Sequence, residues 1–248
     1  MSSVPIGEIS LQKYVPIVGA KKIEEIRALS DNLKGKTVCH VNSTSFGGGV
    51  AEILSRIVPL LRDVGLDAEW KVITGSNEFF SITKAIHNGL QGMNIPLTDQ
   101  MKKTYLENNE KNAKELDLHH EYVVVHDNQP AAIIINYKIR TGKWTWRCHV
   151  DLSNPNSEIM HFLTPIIYQY DSLIFSLESY VQEPLKSKKV AIIPPSIDPL
   201  SDKNKPLSQD VVLSILNRYD INPEKPIITQ VSRFDPWKDP LGEMMFTD

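Results

Sequence analysis

The sequence predicts an α/β fold with a doubly wound parallel sheet, and three observations support this fold class. Short apolar runs typical of buried strands alternate with segments of helical periodicity along the chain. Residues 122–125, Tyr-Val-Val-Val, form an unbroken run, as expected for a strand buried on both faces of a parallel sheet. A glycine triplet at residues 47–49 separates a strand from an amphipathic helix, which is how a βαβ unit begins.

The N-terminal elements follow from periodicity and chain breakers. Apolar side chains share one face of a helix over residues 21–29, and residues 37–42 form the first strand. Over residues 50–61 apolar side chains recur at i, i+3, i+4 and i+7, which predicts an amphipathic helix. Gly65 ends this helix, and the second strand covers residues 68–74.

The alternation of helices and strands continues through the middle of the chain. Further helices are expected over residues 81–91, 99–118 and 157–168. Further strands are expected over residues 122–125, 144–150, 172–176 and 190–193.

A domain boundary is expected at residues 194–199, where Pro-Pro-Ser-Ile-Asp-Pro bends the chain and cannot continue a central strand. We therefore assign residues 1–193 to an N-terminal domain. Residues 194–248 would hold a linker and the start of a second domain, with a helix over residues 208–219 and a strand over residues 226–231. This segment is short, because a second domain of roughly 150 residues would be normal.

Composition excludes several classes of protein. The 248 residues include 27 basic and 30 acidic side chains, so a basic nucleic-acid-binding protein is disfavoured. No run of about 18 apolar residues occurs, so no membrane span is expected. The N-terminus lacks the pattern of a signal peptide, and two cysteines are too few for a disulfide framework. Together these features favour a cytoplasmic protein.

Polar residues recur where the predicted strands end, which is where ligands bind to open α/β sheets. The glycine triplet opens a helix, whose free N–H groups favour an anion, and its bare backbone lets a phosphate or sugar approach. A tight turn without a ligand is the alternative. The dinucleotide fingerprint is not met, because Glu52 stands where it needs glycine, and the P-loop lysine is absent.

Two more strand ends carry candidate ligand groups. His126 and Asp127 follow the strand at residues 122–125, and they could bind sugar hydroxyls, move protons, or simply pack and cap. In residues 144–151 the alternation places Arg147, His149 and Asp151 on one face, away from Cys148 and the core. A polar face of this kind lines a cleft or points at water.

Charged and metal-ligating residues elsewhere give weaker indications. Arg233 and Lys238 lie in a loop after the last predicted strand, where two cations would neutralise a diphosphate, or would be solvated surface charges. The chain contains no Cys-x-x-Cys or His-x-x-x-His spacing, so we predict no metal site. By side-chain type alone, the candidate metal ligands are His119, His120, His126, Cys148 and His149.

Taken together, these segments resemble the trehalose synthases of the glycosyltransferring type, which share their N-terminal signature with the fungal-type retaining trehalose phosphorylases. The motifs that carry the resemblance are HVNST at residues 40–44, GGGVAEIL at 47–54, HDNQP at 126–130, WRCHVDLS at 146–153, PPSIDP at 194–199 and VSRFDPWKDP at 231–240. Their order and spacing are similar from about residue 14 to residue 242.

The resemblance implies a GT-B fold, with two Rossmann-like domains facing a cleft, of which the second is incomplete here. It implies a retaining glucosyltransferase that transfers glucose from a nucleotide-diphosphate glucose to a glucose acceptor, without a cofactor; Mg²⁺ is not required. By carry-over, the donor phosphates would approach Gly48 and Gly49, and the diphosphate would lie against Arg233 and Lys238. The sugar side would be lined by His126, Asp127, Gln129, Arg147, His149 and Asp151.

The resemblance also leaves alternatives open. The family's Glu-x₇-Glu motif belongs to a region that does not occur in these 248 residues, so no catalytic residue is assigned and the chain is expected to be a C-terminally truncated form. A trehalose phosphorylase using glucose 1-phosphate, and a sugar-binding remnant without catalysis, are the other readings. A homodimer is compatible with each of them.

Overall fold

A computed structural model describes residues 3–138, 140–232, 236–239 and 241–242. The chain divides into two compact units, Met1–Asp198 and Pro199–Asp248. The division falls five residues beyond the expected boundary and within the same proline-rich segment. Arg233 lies outside the described residues.

A parallel sheet forms the centre of the first unit and confirms the predicted α/β class. In the described part of the chain it has six strands, in the spatial order β2-β1-β3-β4-β5-β6. The strands are β1 (Thr37–Asn42), β2 (Asp67–Val72), β3 (Tyr122–His126), β4 (Lys143–Arg147), β5 (Ser172–Phe175) and β6 (Lys189–Ile192). The chain leaves β1 in one direction to form β2 and returns on its other side as β3. The crevice between β1 and β3 is therefore the topological switch point, where open α/β sheets bind ligands.

Helices of the first unit lie on both faces of the sheet. They are α1 (Val15–Val18), α2 (Ala20–Ser30), α3 (Gly49–Asp63), α4 (Asn77–Leu90), α5 (Asp99–Glu115) and α6 (Ser157–Ile167). The second unit contains α7 (Gln209–Arg218). A 3₁₀ segment, Ala131–Asn136, follows β3. No helix in the described residues is long and apolar enough to cross a membrane.

Two apolar clusters hold the first unit together, one on each face of the sheet. The larger cluster packs α4, α5 and α6 against alternate residues of the central strands, including Val123, Val125, Trp144 and Trp146, all of them at most 1% exposed. The smaller cluster packs α2 and α3 against β1 and β2. Cys148 belongs to the larger cluster, as the alternation in residues 144–151 predicts.

The strand β4 ends earlier than the apolar pattern predicts, at Arg147 instead of residue 150. The backbone N–H of His149 donates to the Asp127 carboxylate at 2.7 Å and so leaves the ladder between strands. A side chain has replaced the backbone partner that a strand needs at this point. The polar side chains that follow are thereby placed at the edge of the sheet.

The strand expected over residues 226–231 is not formed. Residues 226–232 have no strand assignment, and among the described residues no neighbouring strand pairs with them. A β-strand is stabilised by hydrogen bonds to a neighbour, so an apolar sequence of high β-propensity is not sufficient for one. The helix expected over residues 208–219 is present as α7.

Candidate functional site

The glycine triplet lies where the sequence predicts it, in the turn between β1 and α3. Gly47 and Gly48 have φ angles of 70° and 79°, which only glycine adopts without strain, and Gly49 is the first residue of α3. A Cβ added at any of the three would meet no heavy atom within 4 Å. The start of α3 is thus an open backbone surface that a ligand can approach.

The turn that precedes the glycines is fixed by side chains. Asn42, the last residue of β1, donates from Nδ2 to the Thr44 carbonyl at 2.8 Å and accepts at Oδ1 from Trp70 Nε1 at 2.7 Å. The Thr44 hydroxyl donates to the Phe46 carbonyl at 2.8 Å. These contacts hold the loop next to the switch point in one shape.

Three histidines, two from the neighbouring strands β1 and β3 and one from the loop after β4, form a continuous hydrogen-bonded array at this edge, which we call the histidine chain. His40 Nδ1 lies 3.0 Å from His126 Nε2, and His126 Nδ1 lies 2.9 Å from His149 Nε2. The ring centroids of successive members are 5.3 and 5.2 Å apart. The sequence predicts His126 and His149 at this edge, and it misses His40.

Burial keeps the histidine chain uncharged. It lowers the pKa of His40 and of His149 from 6.5 to about 4, and the positive charge of Arg147 acts in the same direction. The pKa of His126 is lowered well below its ordinary value by burial and by the two neighbouring rings. At neutral pH each ring is therefore an imidazole that offers one donor and one acceptor.

Asp127 lies directly after the histidine chain's central member and is held by backbone groups. It has a φ of 60°, and its Oδ1 accepts the His149 backbone N–H at 2.7 Å. Its carbonyl oxygen accepts from Trp146 Nε1 at 2.8 Å, and its own N–H donates to the Arg147 carbonyl at 2.9 Å. Burial raises the pKa of Asp127 to about 7. Its carboxyl therefore bridges back to the β4 loop, whereas the sequence also allowed it to cap the segment that follows.

The positive charge of Arg147 acts on all of these residues. Its side chain is half-buried, and burial lowers its pKa while Asp127 opposes that effect. An arginine remains protonated at neutral pH even when its pKa is lowered. The edge thus combines three neutral imidazoles, one carboxyl group and one guanidinium.

Three other predicted residues have surroundings of their own. Gln129 is partly buried on the loop after β3, where its carbonyl accepts from Asn109 Nδ2 at 3.1 Å. Asp151 is exposed on the loop after β4 and accepts the Ser153 N–H at 2.8 Å. Lys238 is an exposed residue of the second unit. These three do not contribute to the hydrogen bonds that connect His126, Asp127 and His149.

A cavity of about 320 Å³ lies beside the start of α3 in the first unit. Gly49, Arg56 and Tyr14 line it together with the segment around Asp198. Arg56 Nε is 3.1 Å from one oxygen of Asp198, and the Tyr14 hydroxyl donates to the other at 2.9 Å. This contact joins the proline-rich segment to the helix that the glycine triplet opens.

Residues that could hold a metal ion come together in a different place. Ligand atoms of Cys39, Glu69 and His120 lie within 4.8 Å of one another in the described part of the chain. Lys71 Nζ is already 2.9 Å from Glu69 Oε2, so a cation occupies the position beside the carboxylate. Burial also raises the pKa of the Cys39 thiol to about 12, which opposes the thiolate that a metal needs.

The fold and the polar edge define a class of protein: a Rossmann-like α/β domain with polar side chains gathered at the switch point between β1 and β3, where open sheets of this kind bind ligands. The family model described as trehalose synthase, N-terminal domain, matches residues 40–182, a range that begins at His40 and contains the whole histidine chain. The chain belongs to this family, and its parallel sheet is consistent with the N-terminal half of a GT-B fold.

Individual relatives agree with the family match. The chain is 56% identical over 230 residues to a trehalose synthase of Thermococcus litoralis and 42% identical over 242 residues to one of Rubrobacter xylanophilus. These alignments cover 92% and 95% of this chain but 56% and 58% of the relatives. A trehalose phosphorylase of Pleurotus pulmonarius is 27% identical over 267 residues, with 92% of this chain and 36% of the relative covered. The chain thus spans little more than half the length of the trehalose synthases it matches.

Proposed function

We propose that this chain provides the sugar-binding part of a retaining glucosyltransferase, which transfers glucose from a nucleotide-diphosphate glucose to glucose and forms trehalose. The observation that carries the proposal is the row of neutral imidazoles at the switch point, in a chain that belongs to the trehalose synthase family. The outer nitrogen of His149, at the end of this row, suits a sugar, because a hydroxyl can either donate to it or accept from it.

The positively charged groups suit the diphosphate of the nucleotide-diphosphate glucose. The open N-terminus of α3 at Gly48 and Gly49 would face the donor phosphates, and Arg147 would supply positive charge nearby. Lys238 and Arg233, the latter outside the described residues, would hold the diphosphate. With protein cations and a helix N-terminus stabilising the leaving group, the transfer would need no metal cofactor. We also place the protein in the cytoplasm, since both cysteines are free thiols.

Glucose binding tests the sugar-binding part of the proposal in this chain. Replacing His149 with alanine should weaken glucose binding about fivefold in calorimetric titration, because one hydrogen bond in a half-buried site contributes about 1 kcal/mol. The exposed His161 offers a matched control, and His161→Ala should leave the affinity unchanged. Equal losses in both variants, or no saturable glucose binding by the unchanged chain, would contradict the assignment.

Product analysis tests the transfer itself. The purified chain is incubated with labelled nucleotide-diphosphate glucose and glucose, with and without a chelator of divalent cations. Trehalose formation that resists the chelator is the expected result if these residues suffice for transfer. Sugar binding without trehalose, followed by activity when the part of a longer relative that this chain does not cover is supplied, would limit this chain to the binding role.

Trehalose phosphorylase is the second candidate, and the similarity to the Pleurotus pulmonarius protein is the observation that favours it. Glucose 1-phosphate would then replace the nucleotide sugar as donor. Trehalose formed from glucose 1-phosphate and glucose, and consumed when phosphate is added, would identify this activity. Dependence on a nucleotide sugar would exclude it.

A further inference from the structure

The histidine chain constrains where its own protons lie. Each of its two N···N contacts, 3.0 Å between His40 and His126 and 2.9 Å between His126 and His149, needs one hydrogen on one of the facing nitrogens. Two bare nitrogens would repel, and two N–H groups would collide. Because burial keeps all three rings neutral, each ring has only one hydrogen to place.

Only two arrangements satisfy both contacts. In the first, His149 Nε2–H donates to His126 Nδ1, and His126 Nε2–H donates to His40 Nδ1. In the second, His40 Nδ1–H donates to His126 Nε2, and His126 Nδ1–H donates to His149 Nε2. The outer nitrogen of His149, Nδ1, is a bare acceptor in the first arrangement and an N–H donor in the second.

We propose that His40 is a positioning residue, which acts through His126 to set whether His149 Nδ1 offers a proton or a lone pair to the ligand. The three hydrogens move together, because a change in any one ring leaves a contact with no hydrogen or with two. His40 therefore determines the hydrogen-bonding character of a ring that it does not touch. The nature of the ligand, a sugar hydroxyl, rests on the proposed function, whereas the coupling of the rings does not.

Other polar groups around the rings do not break this coupling. Asp127 accepts the backbone N–H of His149, and that bond does not involve the ring nitrogens of His149. The positive charge of Arg147 opposes protonation of the rings. Because a guanidinium has no acceptor, it cannot take a hydrogen from them. The ring-to-ring contacts thus remain the controlling ones.

The coupling is measurable in the 248-residue chain labelled with ¹⁵N-histidine. Nitrogen–nitrogen couplings across hydrogen bonds should connect His40 Nδ1 to His126 Nε2 and His126 Nδ1 to His149 Nε2 in one NMR spectrum. In each connected pair one nitrogen should have the chemical shift of N–H and the other that of a bare nitrogen. Missing couplings, or rings that interchange tautomers independently, would overturn the proposal.

Two variants test the role of His40 directly. His40→Leu removes the ring that contacts His126 Nε2, so the nitrogen–nitrogen coupling between these two residues should vanish. The ¹⁵N shifts of the two His149 ring nitrogens should then change. His40→Asn keeps a donor and an acceptor near the position of Nδ1 and should restore the shifts towards those of the unchanged chain. His161→Asn, on the exposed surface, should move neither. Unchanged ¹⁵N shifts of His149 in a folded His40→Leu variant would refute the positioning role. If that variant does not fold, the couplings in the unchanged chain still show whether the three rings share one hydrogen-bond arrangement.

Adding glucose to the labelled chain tests the coupling of the rings separately from the proposed binding of a sugar. Added glucose should shift the ring nitrogens of His149 and His40 together, since both belong to one arrangement. A shift at His149 with none at His40 would refute the coupling. Intact couplings with no shift at any histidine would refute glucose as the ligand and leave the coupling in place.

Discussion

Replacing His40 with asparagine should make the fold less sensitive to acid. The His40 side chain is buried with a pKa of about 4, against 6.5 in water, so the unfolded chain binds its proton more tightly than the folded chain does. The stability that this group contributes is therefore complete above pH 6.5 and is lost as the pH falls towards 4. Asparagine retains a hydrogen-bonding group in this position but does not titrate.

The magnitude follows from the gap between the two pKa values. A difference of about 2.5 between the pKa values corresponds to a contribution of about 3 kcal/mol to the free energy of unfolding at high pH. About 2 kcal/mol of this contribution is lost between pH 7 and pH 5. The difference in unfolding free energy between the unchanged chain and His40→Asn should shrink by about that amount over this range. Asp127 takes up a proton as the pH falls and acts in the opposite direction, but it is present in both proteins, so most of its effect cancels.

Urea unfolding at pH 7, 6 and 5 measures this difference. The fluorescence of Trp144 and Trp146 reports the core, since both are at most 1% exposed beside the strands that carry the histidine chain. His161→Asn, on the exposed surface of α6, should follow the unchanged chain at every pH. Parallel stability curves for His40→Asn and the unchanged chain would refute a buried neutral imidazole at this position.

Three further substitutions test other contacts. Asp127→Asn keeps the side-chain acceptor and removes a carboxyl whose pKa is raised from 3.8 to about 7, so the unchanged chain loses stability as the pH rises from about 4 to about 7. Between pH 5 and pH 8 the variant should gain about 2.5 kcal/mol relative to the unchanged chain, and equal pH profiles would contradict this. Gly142→Ala adds a Cβ that overlaps the His120 carbonyl oxygen. The urea midpoint should therefore fall by the equivalent of about 2 kcal/mol or more. An unchanged midpoint would show that the turn can move to accommodate the methyl group. Tyr14→Phe removes the hydrogen bond of 2.9 Å from the tyrosine hydroxyl to Asp198. The free energy of unfolding should fall by about 1 kcal/mol in the same urea assay, with an unchanged m-value. No loss of stability would mean that water replaces the hydroxyl.

Much of the sheet can be predicted from the sequence, because the central strands are nearly uniform apolar runs. The first strand is predicted to the residue, Thr37–Asn42, and the alternation around Trp146 and Cys148 correctly separates the core from the polar face. The start of α4 is missed by four residues. Ser76 caps this helix by accepting the Phe79 N–H at 3.1 Å, and a serine three residues before an aromatic is too common a pattern to fix a boundary.

The histidine chain could not be predicted, because it depends on the order of strands in space. His40 precedes His126 by 86 positions, and they meet only because β1 and β3 are neighbours in the sheet. A signal was nonetheless present: His40 is a polar residue between Cys39 and Val41, in a strand that is otherwise apolar at its centre. Such a residue near the carboxyl end of a buried strand is a candidate ligand group in its own right.

The chemistry of the polar edge follows from how deeply its groups are buried. Three imidazoles that resist protonation leave Arg147 as the positive charge of the cluster, while Asp127, with a pKa of about 7, divides between its neutral and charged forms near neutral pH. A ligand at this edge therefore meets the outer nitrogen of His149, which can donate or accept one hydrogen bond, and the positive charge of Arg147. That combination suits a molecule that is part polyol and part anion, which is the chemistry of a nucleotide-diphosphate sugar. An acid pH that charges the imidazoles would turn acceptors into donors, so weaker sugar binding should accompany the loss of stability.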